Sequence, residues 1–244
     1  ADGLKFTTPG GQAWPASRLA LNWRQNQAPV PAGQPGAPIL GGDFEADRLD
    51  LAVMAGIAGR LPLPEGLRRA LDEMVPEGQV LGLQASWTGP LEQPRHFKVK
   101  ARGQGLSIAA KPSDEAGAVG RPGWRRADLD LQADDTGGEA RLAMQNGALE
   151  FPGVFEEALV PLDHFSAQLV WQVRPVSSRT ADAHAPPVIE LLVKEARFAN
   201  ADVQGDLQAR WRTGPGEGLG RDRRYPGRIE LSGHIQQGQA QRVA

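Results

Sequence analysis

The residues of this chain best suited to hold a metal ion are its four histidines, because cysteine is absent. Neutral imidazole binds zinc and other transition metals, but a site needs several ligands at short, characteristic spacings. No two histidines have such a spacing; they are His96, His164, His184 and His234. The sequence therefore predicts no metal site, and the lack of cysteine also excludes disulfides and thiolate catalysis.

Other candidates for catalysis are equally weak. The acid pairs Asp134-Asp135 and Glu156-Glu157 lie at expected turns or strand ends, where solvated or turn-capping carboxylates are common. Ser166 follows His164 in one alternating run, and no Gly-x-Ser-x-Gly motif surrounds it. The glycines between 214 and 220 do not lead from a strand into an apolar helix, as a dinucleotide loop would. We expect no enzyme activity and no cofactor.

Composition excludes further classes of function. The 27 basic and 29 acidic side chains are interspersed, and the net charge is only −2. No overall field would attract nucleic acid, so a nucleic-acid partner is not expected. No stretch approaches the roughly 20 apolar residues that span a bilayer, and no signal peptide opens the chain. Because the chain starts without Met and stops within an apparent element, we expect it to be a segment of a longer protein.

The elements that would position any site are mostly β-strands. Four runs alternate apolar and polar residues and close on a tryptophan, at positions 19–23, 83–87, 167–171 and 207–211. Alternation of period two gives a strand one apolar and one polar face. Similar runs predict strands at 4–7, 18–24, 43–49, 80–88, 97–102, 106–110, 127–133, 139–145, 148–151, 165–173, 189–198, 203–212 and 228–235, with a Pro/Gly loop over 27–42.

One segment has helical spacing instead. Apolar residues recur every three or four positions from Leu51 to Leu61 and again from Leu67 to Val75, and prolines end both stretches. We predict a two-helix insertion at about 50–76 that caps one end of the sheet. Since no other helix separates the strands, the sheet should be antiparallel and meandering.

A sheet with one apolar face cannot stand bare in water. A closed barrel, an ordinary sandwich whose faces cover each other, or a groove filled by another molecule would each satisfy this pattern. Alternation alone leaves these alternatives open.

Several phrases resemble the YhdP branch of the AsmA-like proteins of Gram-negative bacteria. They are the run from Phe44 to Gly56 followed by Arg60 to Pro64, the run from Gly78 to Pro90, the run from Leu149 to Phe155, and the run from Arg197 to Asp202 with Gly205. They occur in the family's order along most of the chain, and they are structural phrases without catalytic residues.

The resemblance implies a fold, a place and a function. The fold implied by resemblance to the AsmA-like proteins is a large antiparallel sheet curled into an elongated apolar groove. The implied location is the periplasm, with an inner-membrane anchor that would lie outside this chain. The function implied is binding of phospholipid acyl chains, movement of phospholipids between inner and outer membranes, and support of outer-membrane integrity, with other envelope proteins as partners. The alternative is a periplasmic β-sandwich scaffold or interaction module without lipid transport.

On this interpretation residues 1–244 are one β-rich segment with a helical insertion. The groove lining is expected to come from the apolar sides of the strands. The candidate lining residues are Leu21, Trp23, Leu83, Trp87, Val99, Leu131, Leu169, Trp171, Leu191, Leu207 and Trp211.

Overall fold

A computed structural model describes residues 16–25, 39–60, 65–90, 94–113, 119–175, 187–214 and 227–238. Within them lie ten strands and two α-helices. The strands are β1 (Leu19–Gln25), β2 (Ile39–Asp50), β3 (Glu77–Thr88), β4 (His96–Ile108), β5 (Gly123–Asp134), β6 (Gly137–Glu150), β7 (Leu159–Arg174), β8 (Val188–Ala199), β9 (Val203–Arg212) and β10 (Arg228–Gly238). The helices are α1 (Leu51–Ile57), continued by a 3₁₀ turn (Ala58–Arg60), and α2 (Glu65–Met74).

All ten strands form one antiparallel sheet in chain order, from β1 at one edge to β10 at the other. This confirms the predicted meander, in which each strand pairs with the strand that follows it. The sheet is curled and open, and β1 and β10 are not neighbours. In the part of the chain that the structure describes, there is thus neither a closed barrel nor a second sheet that would make a sandwich.

The predicted helical insertion is confirmed and caps one end of the sheet. The Asp50 carboxylate accepts a hydrogen bond from the backbone N–H of Val53 at 3.0 Å, so Asp50 is the N-cap of α1. Val53 and Ile57 of α1 are buried against Ala46 and Leu49 of β2. The carbonyl of Met74 at the end of α2 accepts from the N–H of Ala109 at 2.8 Å, which attaches the insertion to the chain after β4.

Arg121 strengthens this attachment. Its Nη2 donates to the carbonyl oxygen of Glu73 at 2.7 Å, and its Nη1 lies 3.6 Å from the Glu73 carboxylate. A cation that bonds the last carbonyls of a helix satisfies groups that have no partner inside the helix. Arg121 therefore holds the C-terminal end of α2.

Three expectations about strand limits are wrong. The predicted strands 97–102 and 106–110 are one strand, β4, with irregular pairing between Gly103 and Leu106. The predicted strands 139–145 and 148–151 are likewise one strand, because β6 continues its pairing with β7 past Asn146, whose φ is 50°. A local bulge looks like a break in a sequence but leaves the ladder continuous on either side.

The third error concerns the Pro/Gly loop expected over 27–42. Ile39 to Gly42 belong to β2 and pair with β1 and β3. Gly41 and Gly42, for which the sequence predicts a loop, are buried in this strand. The rest of that loop and the predicted strand 4–7 lie outside the described residues.

Candidate functional site: the apolar face of the sheet

Strand register brings apolar residues from all ten strands onto one face. Directly opposed residues in antiparallel strands share a face of the sheet, so the pairing can be followed from edge to edge. One such row runs from β1 to β10 through Leu21, Phe44, Ala85, Val99, Ala133, Gly138, Trp171, Leu191, Trp211 and Ile229. Every member is apolar or glycine.

The candidate lining residues fall in this row and in the rows beside it. Leu21, Val99, Trp171, Leu191 and Trp211 belong to the row itself. Trp23 and Trp87 both oppose Gly42 in the row toward one end of the sheet. Toward the other end, Leu131 and Leu169 oppose Ala140, Leu83 opposes Ala46, and Leu207 opposes Ala196. The structure therefore brings all of these candidates onto one face.

Their exposure differs from the middle of the sheet to its edge. Leu21 and Trp23 on edge strand β1 are 50% and 58% exposed, whereas Trp87 is only 8% exposed. The remaining candidates are half-buried. On the opposite edge, the β10 residues Ile229, Leu231 and Ile235 are each about two-thirds exposed. Apolar side chains are thus most open to solvent at both edges.

Two tryptophans lie over glycines of the preceding strand. A Cβ placed on Gly42 would lie 2.5 Å from Cζ2 of Trp87, and a Cβ on Gly138 would lie 2.5 Å from Cζ2 of Trp171. In each case a second glycine precedes, and its Cβ would meet the tryptophan carbonyl oxygen at 2.3 Å. The same Gly-Gly opposite Trp arrangement therefore occurs in β2–β3 and in β6–β7. Aromatic rings that cover strand glycines in this way help to fix strand register.

The opposite end of the same face is closed by packing. One core cluster joins Ala46, Leu49, Val53 and Ile57, and a second joins Leu106, Ala127 and Met144. Leu51 of α1 packs against the second cluster, so the insertion contacts both. We call the end occupied by these two clusters the helix end, and the end with Trp23, Trp87, Trp171 and Trp211 the tryptophan end.

The other face of the sheet is polar and carries a shallow cavity of about 1010 Å³. It extends from β1 to β7 across side chains of both charges, and the sequence did not predict it. Its polar lining includes Asn22, Asp43, Glu45, Gln84, Ser86, Lys98, Lys100, Gln132, Glu139 and Gln172. A second cavity of about 580 Å³ adjoins it near Arg102, Asp130 and Arg141. Only the strand register, which the sequence does not display, shows that these side chains are neighbours.

The polar residues singled out in the sequence make local contacts. His96 Nδ1 lies 3.0 Å from the Asp135 carboxylate, and this hydrogen bond holds the pKa of Asp135 below its usual value. Hydrogen bonds from the hydroxyl and N–H of Thr136 lower the pKa of Asp134 in the same turn. His164 pairs with the amide of Gln145 at 2.9 Å. Among the described residues, no group of three or more His, Asp or Glu side chains could hold a metal ion.

The comparisons with known proteins agree with this architecture. The family model for the YhdP protein matches residues 1–244, the whole chain. This chain belongs to the YhdP family. The predicted resemblance is confirmed, and membership of the YhdP family indicates a protein of the cell envelope. No curated protein and no solved structure matches the chain. In the described ranges, none of the helices is long and apolar enough to cross a membrane.

Proposed function

We propose that this YhdP-family segment binds phospholipid acyl chains on its apolar face and is part of a bridge along which phospholipids move between the inner and outer membranes. The observation that carries the proposal is the unbroken row of apolar residues and glycines across all ten strands. Removing acyl chains from water is favourable by about 0.8 kcal/mol per buried methylene. A face of this kind therefore binds lipid without any specific polar contact.

The same row also suits movement of lipid. Successive strands present similar apolar side chains at a spacing of about 4.8 Å, so a bound chain meets nearly equivalent sites as it advances. Binding that is nearly equal at neighbouring positions leaves small barriers between them. The proposed role is binding and conduction without catalysis.

The proposed location is the periplasm, with the anchor to the inner membrane in a part of the parent protein outside this segment. Partners would be phospholipid acyl chains and other envelope proteins. Nucleic acid is not an expected partner, because the net charge is −2 and the two signs alternate over the polar face.

Native mass spectrometry with lipid extraction, on the segment purified without detergent from a Gram-negative host, tests lipid binding. We expect co-purified phospholipid in the unaltered segment. Leu191→Asp should reduce it several-fold, because the half-buried Leu191 side chain lies on the apolar face between Trp171 and Trp211. The control Gln208→Asp changes an exposed residue on the polar face of the neighbouring strand β9 and should retain the lipid. A stable, lipid-free segment would contradict the proposal.

The second candidate function is a scaffold that docks other envelope proteins. It is favoured by the exposed apolar residues of edge strand β10, Ile229, Leu231 and Ile235, because an open strand edge can accept a strand from a partner. The β-sandwich form of this alternative is not what the described residues adopt. Co-purification of a stoichiometric protein partner in place of lipid, lost in Leu231→Asp, would favour the scaffold.

A further inference from the structure

The apolar face is not uniform along the strand direction, and this bears on where a lipid can lie. At the helix end, Ala127 and Met144 are 0% and 1% exposed, and Val53 is 3% exposed. Interiors of this kind are packed about as densely as organic crystals, with few voids. At these two clusters an acyl chain has no free surface to bind unless the helices move away.

The tryptophan end, by contrast, has no helix over it in the described residues. Helix α1 contacts β2 and β3, and its Leu51 packs against the second cluster, so its contacts with the sheet lie at the helix end. In the row that runs from Leu21 to Ile229, the side chains of Val99, Leu191 and Trp211 are half-buried. The two residues at the ends of this row, Leu21 and Ile229, are mostly exposed. This end therefore keeps accessible apolar surface.

The open surface is longer than an acyl chain. Ten strands at about 4.8 Å give a width of about 43 Å along the row. One leaflet of a bilayer core is about 15 Å thick, half of the roughly 30 Å hydrocarbon layer, which sets the length of one lipid tail. The row is long enough for both tails of a phospholipid placed across several strands, and no charged residue interrupts it.

The glycine–tryptophan pairs let the tryptophan rings lie close to the backbone of the sheet. Because Gly42 and Gly138 lack a Cβ, the rings of Trp87 and Trp171 occupy the space beside the backbone. A methyl group at either glycine would meet the ring at 2.5 Å and also a backbone oxygen, that of Asn22 at 2.6 Å for Gly42 and that of Gln132 at 2.7 Å for Gly138. Both distances are shorter than normal contacts, so the ring and the local backbone would have to shift, and the surface that the ring presents would change.

We propose that the acyl chains of bound phospholipid lie across the strands at the tryptophan end, on a floor formed by the Trp87–Gly42 and Trp171–Gly138 pairs, and that the helix end takes none. This inference rests on the proposed function and specifies where on the apolar face binding occurs. It assigns Gly42 and Gly138 a role in ligand fit, beyond their role in strand pairing.

Photocrosslinking tests the location directly. The intact segment is equilibrated with phosphatidylethanolamine–phosphatidylglycerol vesicles that contain a phospholipid with a diazirine in its acyl chain, is separated from them, irradiated and mapped by peptide mass spectrometry. We expect adducts on the tryptophan-end residues of β3 to β9 and none on α1 or the cluster around Met144. Adducts on the helix end as well would overturn the inference while leaving lipid binding intact. Absence of any adduct, adducts confined to the polar face, or a dimer that excludes lipid would overturn the proposed function too.

Glycine variants test the floor. We expect Gly42→Ala and Gly138→Ala to lower the crosslinking yield several-fold and to change tryptophan fluorescence. Gly59→Ala, in the 3₁₀ turn with no atom within 4 Å of its added Cβ, should leave both unchanged. Far-ultraviolet circular dichroism and thermal unfolding identify variants that fail to fold. The milder variants Trp87→Phe and Trp171→Phe, which shrink the rings, should retain the fold and shift the adduct positions. Full yield in folded alanine variants, with adducts unmoved in the phenylalanine variants, would contradict the proposed floor.

Discussion

The helix end and the tryptophan end belong to the same face of the same sheet, and their strands have the same alternation of apolar and polar residues. Met144 at the helix end is 1% exposed, whereas Trp171 at the tryptophan end of the neighbouring strand is half-buried. The difference arises from what lies above the sheet, because α1 packs Leu51 against the cluster of Met144 and contributes Val53 and Ile57 to the other cluster, both at the helix end. An apolar strand face thus becomes core or accessible surface according to its cover.

The largest expected difference between the two ends is in how much their side chains contribute to the free energy of unfolding. Met144→Ala removes a fully buried side chain and should lower the free energy of unfolding by about 2–5 kcal/mol. Ile229→Ala, on the 66% exposed side chain that opposes Trp211 at the tryptophan end, should change it by less than about 0.5 kcal/mol. Urea unfolding measures both values. Equal losses would mean that the tryptophan end is also covered and that the comparison is wrong.

The attachment of the two-helix insertion over the helix end should depend on Arg121. Arg121→Ala removes the charged donor to the Glu73 carbonyl and should destabilise the fold by about 1.5–3 kcal/mol, the range for hydrogen bonds to charged groups. Arg69→Ala is the control, because its exposed ion pair with Glu65 within α2 contributes only about 0.2–0.5 kcal/mol. Hydrogen exchange should also show faster exchange in α2 for Arg121→Ala. Unchanged exchange would show that α2 is held elsewhere.

A smaller effect is expected at the start of α1. Asp50→Ala removes the N-cap acceptor for the Val53 N–H and should cost about 1 kcal/mol. Asp50→Ser keeps an acceptor and should restore most of the loss. Thermal unfolding compares the three proteins. If serine fails to rescue, Asp50 stabilises the helix end by a contact other than the cap.

The smallest effect should be at the turn between β5 and β6, at the tryptophan end. The hydrogen bonds from Thr136 lower the pKa of Asp134 below 3.8, so the charged carboxylate favours the folded state above that pH. This contribution is lost as the pH falls through the lowered pKa. Asp134→Asn should therefore melt slightly below the unaltered protein at pH 7, and the difference should close below pH 3.8. A difference that persists in acid would indicate lost packing instead of lost charge.

The sequence predicted much of the fold from local periodicity. The phrases that close on Trp87, Trp171 and Trp211 are strands, and the segment from Leu51 to Val75 contains the two helices. Errors arose at bulges, since the irregularities near Gly103 and Asn146 resemble strand ends in a one-dimensional pattern. At the buried glycines Gly41 and Gly42 the sequence predicts a loop, because glycine next to a proline-rich run usually marks a turn.

For the candidate site, the sequence by itself determined which side chains share the apolar face, because period-two alternation sets the direction of every second residue. It also determined that the strands run in a meander and that the helices fall between β2 and β3. Only the tertiary structure decided which rows meet across all ten strands, since register depends on pairing between distant residues. The tertiary structure likewise decided that Trp87 and Trp171 rest on Gly42 and Gly138 and that the helices cover one end alone. Those features depend on contacts between separate elements, and no local pattern encodes such contacts.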